Sequence, residues 1–247
     1  MSGAKNPVII IQARIGSTRL PGKTMMGIGG KMLIDWVIDG ALQIKNAADV
    51  VVAVPDGLED DAQAAYIAKR GVKCFRGSTL DVLARYYHAA AWTKADPVVR
   101  LCADSPLPGS ELMDAMIEEH IGNNADLTHC ATLFPLGSAG EVISFAALER
   151  MFREAQKEYC REHVTPYIHE NPQAFCIHRV KPPAWMQKNY RLTIDTETDV
   201  EMMETLFGSV RSAGMEVNFT NAMAMLDSRP EIALINAGVK QRNWREE

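Results

Sequence analysis

A chain of 247 residues with 47% apolar and 23% charged side chains can bury an extensive core, as one large α/β domain or two smaller ones. Its formal charge of −5 and pI near 5.7 exclude a general nucleic-acid binder that relies on neutralising many phosphates. Five cysteines without a C-x-x-C pair argue against a zinc site or disulfide framework, and no apolar run approaches membrane-spanning length. With no signal-peptide pattern at the start, the expected setting is the cytoplasm, without membrane attachment.

The first predicted element is a strand at 7–12, an apolar β-branched run that breaks at Gln12. The loop after it, "ARIGSTRLPGKT", closes on Gly22-Lys23-Thr24, like the phosphate loop of ATPases. That arrangement needs four residues between its glycines, but five separate Gly16 from Gly22, and Pro21 has no N–H to give. What survives is a strand-end loop carrying Arg14, Arg19 and Lys23, a composition that suits a polyanion. A helix at 32–44, a strand at 49–54 ending at Pro55, and a helix at 60–70 stopped by Gly71 come next. A short strand at 72–75, a helix at 80–94 and a buried strand at 98–102 complete the first hundred residues. This alternation predicts an α/β fold, a mainly parallel sheet with helices on both faces that binds ligands beyond the carboxyl ends of its strands.

The strand "VVRLC" runs into "ADSPLPGSE", which puts Asp104 at a strand end, and Ser110 is the expected cap of a helix to 121. From 126 to 180 the pattern is less regular, with a helix expected at 145–157 and a segment "REHVTPYIHENP" that could be a hairpin, lid or dimer arm. A strand "YRLTI" then ends in Asp195, a helix covers 198–213, and one or two short helices follow 219. No repeat, low-complexity tract or linker interrupts the chain. The expectation is one domain over 1–247 with an excursion at 130–185.

In a parallel sheet Asp104 and Asp195 would point into one crevice, where two carboxylates suit a hard divalent cation such as magnesium. Either alone could instead begin a turn or helix. Thr196-x-x-Asp199 resembles a capping box, which gives Asp199 a structural role. Arg100 lies inside an apolar strand and needs an anionic partner, Asp104 or a ligand. Arg76-Gly77-Ser78 forms a second candidate loop for a base or ribose, and His163 could act on substrate or pack at an interface. No histidine spacing suits a metal and no G-x-S-x-G elbow is present.

"IIIQARIGSTRLPGKT" resembles the signature of sugar cytidylyltransferases, in particular the spore-coat polysaccharide branch, with acylneuraminate and 3-deoxy-manno-octulosonate cytidylyltransferases as more distant relatives. The similarity continues through "FRGSTLDVLARYYHAA", "VVRLCADSPL", "GEVISFAALERM", "REHVTPYIHENP", "RLTIDTETDVE" and "NAGVKQRNW". It implies a Rossmann-like nucleotide-diphospho-sugar transferase fold and transfer of CMP from CTP to a sugar, with release of pyrophosphate. Under it the Ala13 backbone and Arg14 contact the nucleotide, with Gly16 and Ser17 in the same loop. Arg19 and Lys23 hold the triphosphate, Ser78 approaches the cytidine, and Asp104 and Asp195 bind Mg2+. Arg14, Lys23 and Asp104 form the catalytic set, while Arg100, Glu141 and His163 are further substrate-side positions. The resemblance also implies a homodimer through "REHVTPYIHENP". Where the spore-coat branch often has a "PRG-x-D-x-E" pattern, this chain reads "FPLGSAGEV", keeping Gly137 and Glu141 but placing Leu136 and Ala139 where Arg and Asp would stand. That change falls in the region expected to meet the sugar and suggests, as one alternative, a nucleotide-binding or assembly protein without turnover; the other alternative is a guanylyl- or other nucleotidyltransferase of the same fold.

Overall fold

A computed structural model describes residues 5–131 and 133–241. The chain opens with β1 (Val8–Gln12), a 3-10 turn at Lys23–Met25, the hairpin β2 (Gly27–Ile28) and β3 (Lys31–Met32), and α1 (Leu33–Ala41). It continues through β4 (Asp49–Pro55), α2 (Asp61–Lys69), β5 (Lys73–Gly77), α3 (Val82–Thr93), β6 (Val98–Cys102) and α4 (Ser110–Gly122). Then come β7 (Leu127–Cys130), β8 (Glu141–Ile143), α5 (Phe145–Glu154), α6 (Glu158–His163), α7 (Pro166–Glu170) and β9 (Ile177–Val180). The helices α8 (Glu197–Ser212), α9 (Phe219–Ser228) and α10 (Pro230–Leu234) follow.

Seven strands form one sheet in the order β5-β4-β1-β6-β8-β7-β9. The four on the β5 side are mutually parallel, and β8 alone runs against both its neighbours. β1 lies inside the sheet between β4 and β6, and Val8 to Ile11 are buried, the burial expected of a strand covered on both faces. Gln12 is in register with Ala53 on one side and Cys102 on the other, so β1 and β6 end at one level and β4 runs two residues further. One apolar cluster, built from α1, α4, α8 and α9, covers one face with Ile9 and Ile11. The other takes Val8 and Ile10 under α3, α5 and α7. The fold is therefore the Rossmann-like, mostly parallel α/β architecture that strand–helix alternation dictates.

Three local expectations need correction, and one element was not expected. The 190–194 stretch is no strand. It makes one isolated bridge, Leu136 to Arg191, and runs between two loops because β8 already fills the sheet position beside β6. Ser110 is the first helical residue of α4 and Gly109 the cap, with no side-chain hydrogen bond to the helix start. The helix expected at 145–157 breaks at Ala155, which turns extended before α6. The hairpin at 27–32 was missed, although Gly29-Gly30, both at positive φ, is the residue pair such turns favour. The capping box forms: the Thr196 hydroxyl accepts from the Asp199 N–H and the Asp199 carboxylate accepts from the Thr196 N–H. In "NAGVKQRNW" the residues from 242 on lie outside the described ones.

Candidate active site

The loop after β1 is held from below by α2 and the turn before it. Asp60 accepts from the Ile15 N–H at 2.8 Å, and the Thr24 hydroxyl pairs with the Gln63 side-chain oxygen. Gly22, at φ +72°, accepts a tight turn that a β-substituted residue would resist, and its N–H returns to the Ile15 carbonyl at 3.0 Å. This closes the loop and turns Lys23 inward.

Lys23 is buried, and its Nζ donates to three oxygens at 2.8 Å each: Asp104 Oδ2, Asp195 Oδ1 and the Ile194 carbonyl. Burial opposes the ammonium, but the charges of Asp104 and Asp195 outweigh it and raise the Lys23 pKa. Burial likewise opposes the Asp195 carboxylate, and Lys23 and Arg19 more than compensate, holding its pKa below the usual range. Arg19 lies 3.2 Å and Arg191 2.9 Å from Asp195 Oδ2. Arg191 is itself fixed by Asp199, at 2.7 Å, and Asp199 accepts from Asn236 at 2.9 Å. Asp199 thus does more than cap α8: it anchors the guanidinium that positions Asp195.

A cavity of about 930 Å3 opens above this centre. It brings together Ala13, Arg14, Ser17, Arg19, Lys23, Arg100, Asp104, His163 and Asp195 among the positions expected from sequence. Arg14 crosses to Glu162 of α6 at 2.8 Å. Gly16 and Ser78 stand off its lining. The Ser78 hydroxyl accepts from the Asp81 N–H at 3.1 Å, and its carbonyl accepts from the buried Arg85 at 2.7 Å. Arg76 is taken up by Asp61 and by the carbonyls of Pro55 and Gly57.

A smaller cavity of about 340 Å3 adjoins it and shares Arg100 and His163. Here the expected partner of Arg100 must be corrected. Its guanidinium meets not Asp104 but Glu141 at 2.9 Å, because the β6–β8 register sets residues 100 and 141 directly opposite. Glu141 Oε2 also accepts from the Thr165 hydroxyl at 3.1 Å, and His169 Nε2 lies 3.5 Å from Oε1. Burial works against this carboxylate, but the His169 hydrogen bond and the Arg100 charge hold its pKa down at about 2.

Among the described residues no group of three or more His, Cys, Asp or Glu side chains is set to hold a metal ion. Asp104 and Asp195 form a two-carboxylate set around one cation position, which Lys23 fills. Sequence reasoning missed Glu162, Thr165 and His169 individually, although all lie in the flagged "REHVTPYIHENP" segment. Arg191 carried a signal too, as a guanidinium between the apolar positions of "YRLTID".

The family profile described as cytidylyltransferase matches residues 8–227, a span that includes the loop after β1, Asp104 and Asp195. The chain is a member of the cytidylyltransferase family. Among its relatives, the spore coat polysaccharide biosynthesis protein SpsF of Bacillus subtilis is 34% identical over 234 residues, 92% of this chain and 96% of the relative. An uncharacterized protein of Methanocaldococcus jannaschii is 36% identical over 96% of this chain and 97% of its own length. A solved cytidylyltransferase from Leptospira borgpetersenii superimposes with a TM-score of 0.85 at 29% identity, covering 96% of this chain and all of the other. This cytidylyltransferase is therefore an enzyme of nucleotidyl transfer, with the charged centre at the mouth of its parallel strands.

Proposed function

We propose that the enzyme transfers CMP from CTP to a sugar acid or sugar phosphate, yielding a CMP-activated sugar for surface glycan synthesis. The observation that carries this reading is Lys23 gripped by Asp104 and Asp195 beneath a loop with two further arginines. The same three cations can face a triphosphate once the nucleotide enters. Similarity to the spore coat polysaccharide protein, and to a 3-deoxy-manno-octulosonate cytidylyltransferase of Methylococcus capsulatus over 54% of this chain, supports the sugar class.

In the proposed reaction a hydroxyl or phosphate oxygen of the acceptor attacks the α-phosphorus of CTP. The new P–O bond forms as the bond to pyrophosphate breaks, and any hydroxyl proton passes to solvent. The work of the protein is positioning and charge stabilisation. The Ala13 backbone and Arg14, with Ser17, hold the nucleotide, whereas Gly16 and Ser78, off the cavity lining, are left to shape their loops. Arg19 and Lys23 take the triphosphate, Lys23 exchanging carboxylate for phosphate oxygens. Arg100, Glu141 and His163 line the acceptor side.

The donor set fits magnesium: Asp104 and Asp195 present hard carboxylate oxygens around a single cation position, short of a full protein cage, as expected of an ion that completes its shell with phosphate and water. When bound, Mg2+ would neutralise charge on the phosphate oxygens. We also propose a homodimer acting in the cytoplasm. Among the described residues no helix is long and apolar enough to cross a membrane.

The test is pyrophosphate release with each of the four nucleoside triphosphates, Mg2+ and a panel of sugar acids and sugar phosphates. Release with CTP and one acceptor is expected. Turnover of another triphosphate but not CTP would overturn the cytidylyl assignment, and CTP binding without release on any acceptor would overturn the sugar assignment. Light scattering checks the dimer.

A further inference from the structure

Val164 is buried in the apolar cluster under α3 and α5, yet its backbone is unusual for a β-branched residue, with φ +72° and ψ −60°. The Thr165 N–H donates to the His163 carbonyl at 2.9 Å across it. Together these features define a γ-turn of the rare positive-φ kind, which is sterically strained. Two other non-glycine residues have positive φ among those described, Lys94 and Asn124, and both follow helix ends, where a left-handed residue commonly closes the last turn. Val164 also follows a helix end, that of α6, but its ψ of −60° lies outside the left-handed helical region that closes a last turn.

The residues around the turn account for it. His163 and Thr165 flank Val164, and both line the smaller cavity, while the Val164 side chain is directed into the core. Thr165 holds Glu141, which holds Arg100, and His169 of α7 reaches the same carboxylate. One residue before the turn, Glu162 reaches back to Arg14 of the nucleotide loop. The turn is thus the elbow at which α6, tied to the nucleotide loop, passes into α7, which lies on the other cavity. Strain at such a point persists only where the surrounding packing imposes it, and here the buried isopropyl group is the anchor.

We propose that Val164 is a positioning residue for the acceptor: its strained turn, pinned by the buried side chain, sets His163 and Thr165 on the wall of the acceptor cavity. This rests on the assignment of the smaller cavity to the acceptor. Two variants separate backbone from packing. Val164→Ala keeps a Cβ and its strain, whereas Val164→Gly removes that strain with the loss of one more methyl group. In an ordinary buried segment glycine is the less stable of the two. Here V164G is expected to melt no lower than V164A.

In turnover with CTP, V164G is expected to raise the KM for acceptor about tenfold over V164A, with kcat and the Kd for CTP within about twofold. Equal acceptor KM values, or a parallel loss of CTP binding, would overturn the proposal, as would V164G melting below V164A. If the wild-type enzyme uses no acceptor, the assignment of the cavity fails by itself, and hydrogen exchange decides the elbow. Amides 163–169 should then exchange about tenfold faster in V164G than in V164A, and equal rates would refute the positioning role.

Discussion

Two charged networks share one groove and are built on different terms. Around Lys23 the partner oxygens come from two loops, and they could pass to another cation while the ammonium turned to a phosphate. Around Glu141 the partners come from paired strands and a short helix, and one carboxylate is closed off by Arg100, Thr165 and His169. Under the proposed reaction the first changes partners and the second keeps them. If so, similar ion pairs serve exchange or fixation according to whether loops or a sheet register carry them.

The largest test of this contrast is Lys23→Ala. It should lower kcat/KM for CTP by about 100- to 1,000-fold, the range expected when one preorganised donor to developing charge is lost. A loss under tenfold would break the exchange side of the comparison. Asp104→Asn and Asp195→Asn rank next. Each is expected to reduce Mg2+-dependent turnover about 10- to 100-fold while lowering the melting temperature far less. Unchanged activity in both would remove the metal assignment.

The fixed network is tested by acid titration of stability. The Glu141 pKa is depressed to about 2, so its contribution is complete above the ordinary value of 4.5 and lost as pH falls towards about 2. Glu141→Gln should cost about 2 kcal/mol at pH 7, because Arg100 is left partly buried without its anion. The stability difference between wild type and variant should then shrink as pH drops through that window in urea titrations. A difference independent of pH would contradict the closed-network description.

The smallest expected effect is at the join between the networks. Arg14 and Glu162 are both about 40% exposed at the side chain, so their attraction is weak and screened. Glu162→Gln frees Arg14 for phosphate and should lower the KM for CTP about two- to threefold at low salt, and less at high salt. A rise in KM would instead make Glu162 a support for the nucleotide loop.

The parallel half of the fold was legible because its strands are short, β-branched and separated by helical periods, and 98–102 appears with its predicted ends. Asp104 and Asp195 were legible as strand-end or turn-end acids. Their bond to Lys23 was not, since nothing in the local pattern says that residues 81 and 172 positions away will meet one ammonium. The Arg100 partner was misassigned for the same reason: Glu141 faces it through the antiparallel register of β8, and register is a property of the pair of strands. Arg191 could not be interpreted while 190–194 was taken for a strand. Its guanidinium is explained by Asp199, four residues short of which lies the carboxylate it steadies.

The anchoring of Asp195 through Arg191, Asp199 and Asn236 has a consequence for synthesis of the chain. The nucleotide loop leaves the ribosome early, together with most of the parallel strands, whereas its closing carboxylate comes 172 residues after Lys23 and its last anchor, Asn236, later still. On a nascent chain, scaffold and charged centre are therefore completed at different times. Translation stalled before Asn236 would produce a recognisable sheet whose charged centre had yet to be locked.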